Sequence, residues 1–124
     1  MFGGLATSTN MASTIPQIDL QTFQQLGPGV TVVDFTAAWC SPCRVLGAVL
    51  SALAPEYAGR ARFVAVDVDV ERTLAERFNV RSMPTLVLLR DGREVGRVVG
   101  SRPRAFVAGV VDRALAGGVA IAAP

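Results

Sequence analysis

The 124-residue chain contains no histidine and no lysine, and it has only two cysteines. Each of these removes a class of chemistry. Without histidine there is no Ser-His-Asp or Cys-His catalysis and no His-ligated metal. Without lysine there is no Schiff-base nucleophile and no lysine to hold a phosphate in a glycine-rich loop. Two cysteines cannot build a four-thiolate zinc or iron–sulfur site within one chain. What remains is thiol chemistry, carboxylate chemistry, or binding without chemistry.

Charge is also sparse at one end. Residues 1–43 carry only Asp19 and Asp34, while the twelve basic residues, all arginine, begin at Arg44. The arginines are scattered, with loose clusters only at Arg60/Arg62 and Arg102/Arg104. Nucleic-acid binding calls for a dense basic stripe, joined by aromatics where the target is single-stranded, so no nucleic-acid partner is expected. No apolar run reaches the ~18 residues that a membrane span needs, so no membrane partner is expected either. The N-terminus lacks the charged and apolar regions of a secretory signal. A cytoplasmic setting is favoured, with a processed form of an exported chain as the alternative. In the cytoplasm a lone cysteine pair points to redox or metal chemistry more than to a structural bridge.

The length fits one domain, and 51% hydrophobic residues supply its core. Residues 1–14 are small, polar and without period; they read as a disordered leader or a cloning remnant. The domain is expected over 15–117, followed by a tail at 118–124 that either extends the last helix or frays. Ile15 to Leu20 reads as a short edge strand and Thr22 to Leu26 as a short helix. Val30 to Thr36 is β-branched and aromatic, apolar on both faces except at Asp34, so it reads as a central strand. Val45, Leu46, Val49, Leu50 and Leu53 recur at helical spacing, with Pro42 suited to the first turn and Pro55 near the end. Further strands are expected at Ala61 to Val68, Thr85 to Arg90 and Glu94 to Val99, the last two joined by an Asp91-Gly92 hairpin turn. Helices are expected at Glu71 to Phe78, closed by Asn79, and at Phe106 to Ala116, with Ser101 as candidate N-cap. The order βαβαβαββα predicts an α/β fold, a mixed sheet of about five strands with helices on both faces. Its first strands are expected to pair in parallel through helical crossovers.

Cys40 and Cys43 stand three apart where a strand meets a helix. That spacing puts both sulfurs within disulfide reach, and the helix N-terminus supplies N–H donors and a positive partial charge that favour a thiolate. Cys40, ahead of the helix, is expected to be the exposed nucleophile, and Cys43, inside the first turn, the buried resolving thiol. A static bridge, or a metal shared between the cysteines of two chains, are the alternatives.

The stretch Val33-Asp34-Phe35-Thr36-Ala37-Ala38-Trp39-Cys40-Ser41-Pro42-Cys43-Arg44 resembles the active-site segment of the thioredoxin family, which usually reads W-C-G-P-C. Met83-Pro84-Thr85 resembles that family's cis-proline loop, and Gly100 falls at its substrate-groove glycine. The resemblance covers about residues 15–117 and implies the thioredoxin fold. It also implies catalytic roles for Cys40, Cys43, Asp34 and Pro84. Pro84 would be cis and would hold the Met83 backbone beside Cys40. Trp39, Ser41, Pro42, Met83 and Gly100 would bind substrate. Asp34 would lie beneath Cys43 as its proton acceptor. Read from the residues alone, Asp34 is a lone carboxylate in an apolar strand, either buried with a raised pKa or facing a loop.

Three positions depart from the family pattern. Ser41 stands where glycine is usual, Ala65 where many members carry a lysine near the buried aspartate, and Ala48 where a helix-kinking proline is common. The expected function is reduction of protein disulfides by a Cys40/Cys43 dithiol, with a mixed disulfide at Cys40 resolved by Cys43. The family implies an NADPH-dependent thioredoxin reductase as electron donor, disulfide-containing client proteins as partners, a monomer, and no bound cofactor or metal beyond the Cys40–Cys43 disulfide itself. An oxidant or isomerase, and a scaffold with incidental cysteines, are the competing readings.

Overall fold

A computed structural model describes residues 15–118. The leader and nearly all of the tail discussed above lie outside these residues. The elements are α1 (Leu20–Gln24), β1 (Val30–Thr36), α2 (Ser41–Leu53), β2 (Ala61–Asp67), α3 (Arg72–Arg77), β3 (Thr85–Arg90), β4 (Arg93–Val99) and α4 (Arg104–Leu115), with a 3₁₀ turn at Ala54–Tyr57 after α2.

The sheet has four strands in the order β2-β1-β3-β4, rather than about five. The strand expected at Ile15 to Leu20 is reduced to a single bridge, Gln17 to Ala65. Its hydrogen bonds with Ala65 come from the Pro16 carbonyl and the Ile18 N–H. Pairing stops there because Asp19 turns the chain into α1, its carboxylate accepting the Thr22 N–H at 2.8 Å. That cap also starts α1 two residues before its expected position.

Only β1 and β2 are parallel; β3 is antiparallel to both β1 and β4. Helix lengths explain this. The thirteen residues of α2 extend about 20 Å, enough to carry the chain back along a seven-residue strand. The six residues of α3 extend only about 9 Å. The chain therefore enters β3 at the end of the sheet where β2 stopped, and runs the other way. As a result the C-terminal ends of β1, β2 and β4 and the start of β3 lie together at one edge.

Strand alternation divides the core in two. Val30 and Val32, with Phe63, Ala65, Leu86, Leu88 and Val98, face α2 and α4. Val33 and Phe35, with Val64, Val66, Val87 and Leu89, face Leu74 of α3 and the α1 side chains Leu20 and Phe23. This two-sided burial is why β1 reads as an almost unbroken apolar run. In α2, Leu46, Leu50 and Leu53 are buried as expected. Val45 is not: at 59% exposure it lies on the solvent side. Asn79 closes α3 in a left-handed conformation, with the Val80 N–H bonded to the Ala75 carbonyl. Ser101 does not cap α4; Pro103, extended and without a side-chain bond, holds that place.

Candidate active site

The shared edge of the sheet gathers four chain segments. β1 ends in the turn at Ala37 to Cys40, closed by the Cys40 N–H donating to the Ala37 carbonyl at 3.2 Å. β2 ends at Asp67, where the Val68 N–H bonds back to the Thr36 carbonyl. β3 begins after the Met83–Pro84 peptide, which is cis. β4 leads to Gly100, whose N–H donates to the Pro84 carbonyl at 2.8 Å. Residues scattered from 36 to 100 thus meet in one place, because the topology brings these strand ends together.

Cys40 and Cys43 form a disulfide. Cys40 is the N-cap of α2, and its sulfur accepts the Cys43 N–H at 3.2 Å. Pro42 lies in the first turn, where its missing N–H costs no helical bond. The same sulfur is 3.8 Å from the Met83 carbonyl oxygen. Contrary to the expected contrast in exposure, the two cysteines are equally buried, at 4% and 3%. The reason is the packing around them: Ala37 shares their cluster, and Val68 and Met83 press against it. What distinguishes Cys40 is its position, outside the helix, next to the cis Met83–Pro84 backbone, with a helix-terminal N–H aimed at its sulfur. These are features that stabilise a thiolate.

Asp34 is buried in β1 and does not face a loop. It has the parity of Val30 and Val32, and its register partners are Ala65 and Leu86, both members of the core beneath α2. It therefore lies on the face that α2 covers, near the strand end from which the cysteine turn departs. Its Oδ1 is the one buried side-chain oxygen or nitrogen among the described residues with no hydrogen-bond partner in the protein. Burial raises its pKa from 3.8 to about 7. With Ala65 opposite, no cation compensates.

Trp39 is 66% exposed, and its indole Nε1–H donates to Asp69 Oδ2 at 2.9 Å. Asp69 in turn has its backbone N–H held by Asp67 Oδ1. From sequence alone Asp67 and Asp69, at strand alternation near a strand end, read as a solvated pair, and nothing local points to this contact. The signal was the position of Asp69, two residues past the β2 terminus, which pairs with the β1 terminus just ahead of Trp39. Val68, packed on the dithiol, was missed for the same reason. Ser41 and Pro42 are exposed in the first turn of α2, and Met83 is half-buried against the disulfide. Arg44 reaches back over the turn, donating to the Ala38 carbonyl and to Ser41 Oγ, both at 3.1 Å. Among the described residues no group of three or more Cys, Asp or Glu side chains is placed to hold a metal ion, and no helix is long and apolar enough to cross a membrane.

The family model for thioredoxin matches residues 14–113. A thioredoxin from Staphylococcus saprophyticus is 42% identical over 87 residues, covering 70% of this chain and 84% of that protein. One from Staphylococcus haemolyticus is 41% identical over 92 residues, covering 74% and 88%. Among solved structures, oxidised mitochondrial thioredoxin 3 from Saccharomyces cerevisiae superposes with a TM-score of 0.72 at 35% identity, covering 80% of this chain and 95% of that one.

Proposed function

The chain belongs to the thioredoxin family and is a thiol-disulfide oxidoreductase, and from that premise we propose that it works as a protein-disulfide reductase with Cys40 as nucleophile. The observation that carries this reading is the Cys40–Cys43 disulfide at the N-terminus of α2, facing the cis Met83–Pro84 segment.

In the reduced protein the Cys40 thiolate attacks one sulfur of a client disulfide. A Cys40–client disulfide forms, and the second client sulfur leaves as a thiolate. Cys43, deprotonated by the Asp34 carboxylate, then attacks the Cys40 sulfur. The first client sulfur leaves as a second thiolate, and two electrons have passed to the client. A carboxyl group with a pKa of about 7 can take a proton and return it at neutral pH. The Met83 backbone, next to the Cys40 sulfur, offers hydrogen-bonding groups to an extended client segment. Pro84 and Gly100 hold that backbone in place through their 2.8 Å bond. Trp39, Ser41, Pro42 and Met83 supply the surrounding contact surface.

Turnover requires a dithiol donor, for which an NADPH-dependent thioredoxin reductase is the family's counterpart. A solved relative 34% identical to this chain comes from work on a yeast mitochondrial 1-Cys peroxiredoxin and the glutathione and thioredoxin systems. Peroxiredoxin-type disulfides are accordingly the first clients to try. The need for continual re-reduction fits the cytoplasm. Both faces of the sheet are covered within the chain, which fits a monomer, and residues 15–117 form the working domain.

The test is a dithiothreitol-driven insulin reduction assay with two variants. Cys40→Ser should abolish activity, and Cys43→Ser should trap a client through Cys40. Trapping by Cys40→Ser instead, or full activity in both variants, would overturn the assignment.

A further inference from the structure

The first turn of α2 carries no acidic residue and contains a cation, Arg44. A positive charge there opposes the positive end of the helix dipole. Its side chain is nonetheless fixed. The two terminal guanidinium nitrogens donate separately, one to the Ala38 carbonyl ahead of Cys40 and one to Ser41 Oγ just after it. Arg44 therefore spans the Cys40 turn on both sides of the nucleophile. Neither acceptor is charged, and among the described residues no carboxylate lies within ion-pair distance, the ion pairs there belonging to Arg97 and Arg104. The guanidinium keeps its full charge and has unused N–H donors.

We propose that Ser41 and Arg44 are a positioning pair: the Ser41 hydroxyl holds the Arg44 guanidinium across the Cys40 turn, where its charge favours the thiolate of the reduced dithiol. The proposal rests on Cys40 being the nucleophile. An unfavourable charge–dipole arrangement in the oxidised protein becomes favourable once a negative sulfur forms on Cys40, which lies between the two acceptors along the chain. The other ionisable groups on the segments that meet at this turn are Asp34 on β1, Asp67 and Asp69 after β2, and Arg81 ahead of Met83. Asp69 is engaged by Trp39, Asp67 by the Asp69 backbone, and Arg81 by Asn79 Oδ1. Arg44 is the cation fixed on the cysteine turn itself. Stabilising the thiolate stabilises the reduced form, so the pair shifts the couple toward the oxidising side.

The experiment reads the thiolate directly. In a Cys43→Ser background the remaining thiol is Cys40, and its absorbance at 240 nm gives the titration midpoint. Arg44→Gln should raise that midpoint by about 0.5–1 pH unit, and high salt should shrink the difference because the guanidinium is exposed. Ser41→Ala should raise it by less, and adding Ser41→Ala to Arg44→Gln should add nothing further. In the intact dithiol protein Arg44→Gln should make the redox potential more negative. An unchanged midpoint in Arg44→Gln overturns the electrostatic role, even if thermal stability falls. An unchanged midpoint in Ser41→Ala overturns the holding role of Ser41. If Cys40 with Arg44 in place titrates no lower than a free thiol, the nucleophile assignment itself fails, a result distinct from the other two.

Discussion

The Trp39 indole and the Asp69 carboxylate, thirty residues apart in the chain, are joined by a 2.9 Å hydrogen bond. It fixes a side chain that is otherwise two-thirds in solvent. An exposed tryptophan beside a buried dithiol is a contact surface for clients only if its orientation is held. Asp69→Ala should therefore lower the fluorescence anisotropy of Trp39, the single tryptophan of the chain, and raise KM for insulin more than it lowers kcat. Stability should change by no more than about 1 kcal/mol, the usual net contribution of one hydrogen bond. Unaltered anisotropy and KM would show that the bond orients nothing.

Asp34 makes stability depend on pH in a direction opposite to most carboxylates. Its pKa rises on folding, from 3.8 to about 7, because its charged form is desolvated. The native state thus holds a proton that the unfolded state releases between about pH 4 and 7. Stability falls across that window as pH rises. The full displacement corresponds to about 4 kcal/mol. Asp34→Asn, measured by urea unfolding of the oxidised protein, should lose this slope. The variant should gain on wild type from pH 4 to pH 7 and level off above. Parallel stability curves across that range would mean that Asp34 is not the buried acid described here.

Gly100 has φ near +90°, a conformation that side chains rarely adopt, yet a Cβ built there meets no atom within 4 Å. Gly100→Ala should destabilise by about 1–2 kcal/mol through backbone strain alone. It should also disturb the bond from Gly100 to the Pro84 carbonyl, weakening client docking with little effect on the Cys40 titration. Thermal unfolding together with insulin kinetics would check both. Wild-type stability and KM would remove Gly100 from the docking backbone.

Local pattern and motif made much of the molecule legible. β1 and β3 were bounded by their β-branched and aliphatic runs, and Cys40, Cys43 and Asp34 by strand and helix signals next to a recognisable motif. The losses occurred where tertiary geometry decides. The direction of β3 follows from the short span of α3, which composition does not reveal. The first strand shrank to one bridge because Asp19 caps a helix instead of continuing the pairing. Equal burial of the two cysteines depends on Met83 and Val68, which arrive from distant segments. The Trp39–Asp69 and Arg44–Ser41 contacts likewise depend on which strand ends share an edge and where long side chains reach.

The most direct test of the reductase reading is the equilibrium redox potential of the Cys40–Cys43 couple, measured against a defined glutathione buffer. Shuffling activity alone would not separate a reductant from an oxidant or isomerase, but the potential does. A value near the thioredoxin range of about −270 mV is predicted, shifted somewhat toward less negative values by the Arg44 charge. A value at or above about −180 mV, in the range of isomerases and strong oxidants, would contradict a reductase.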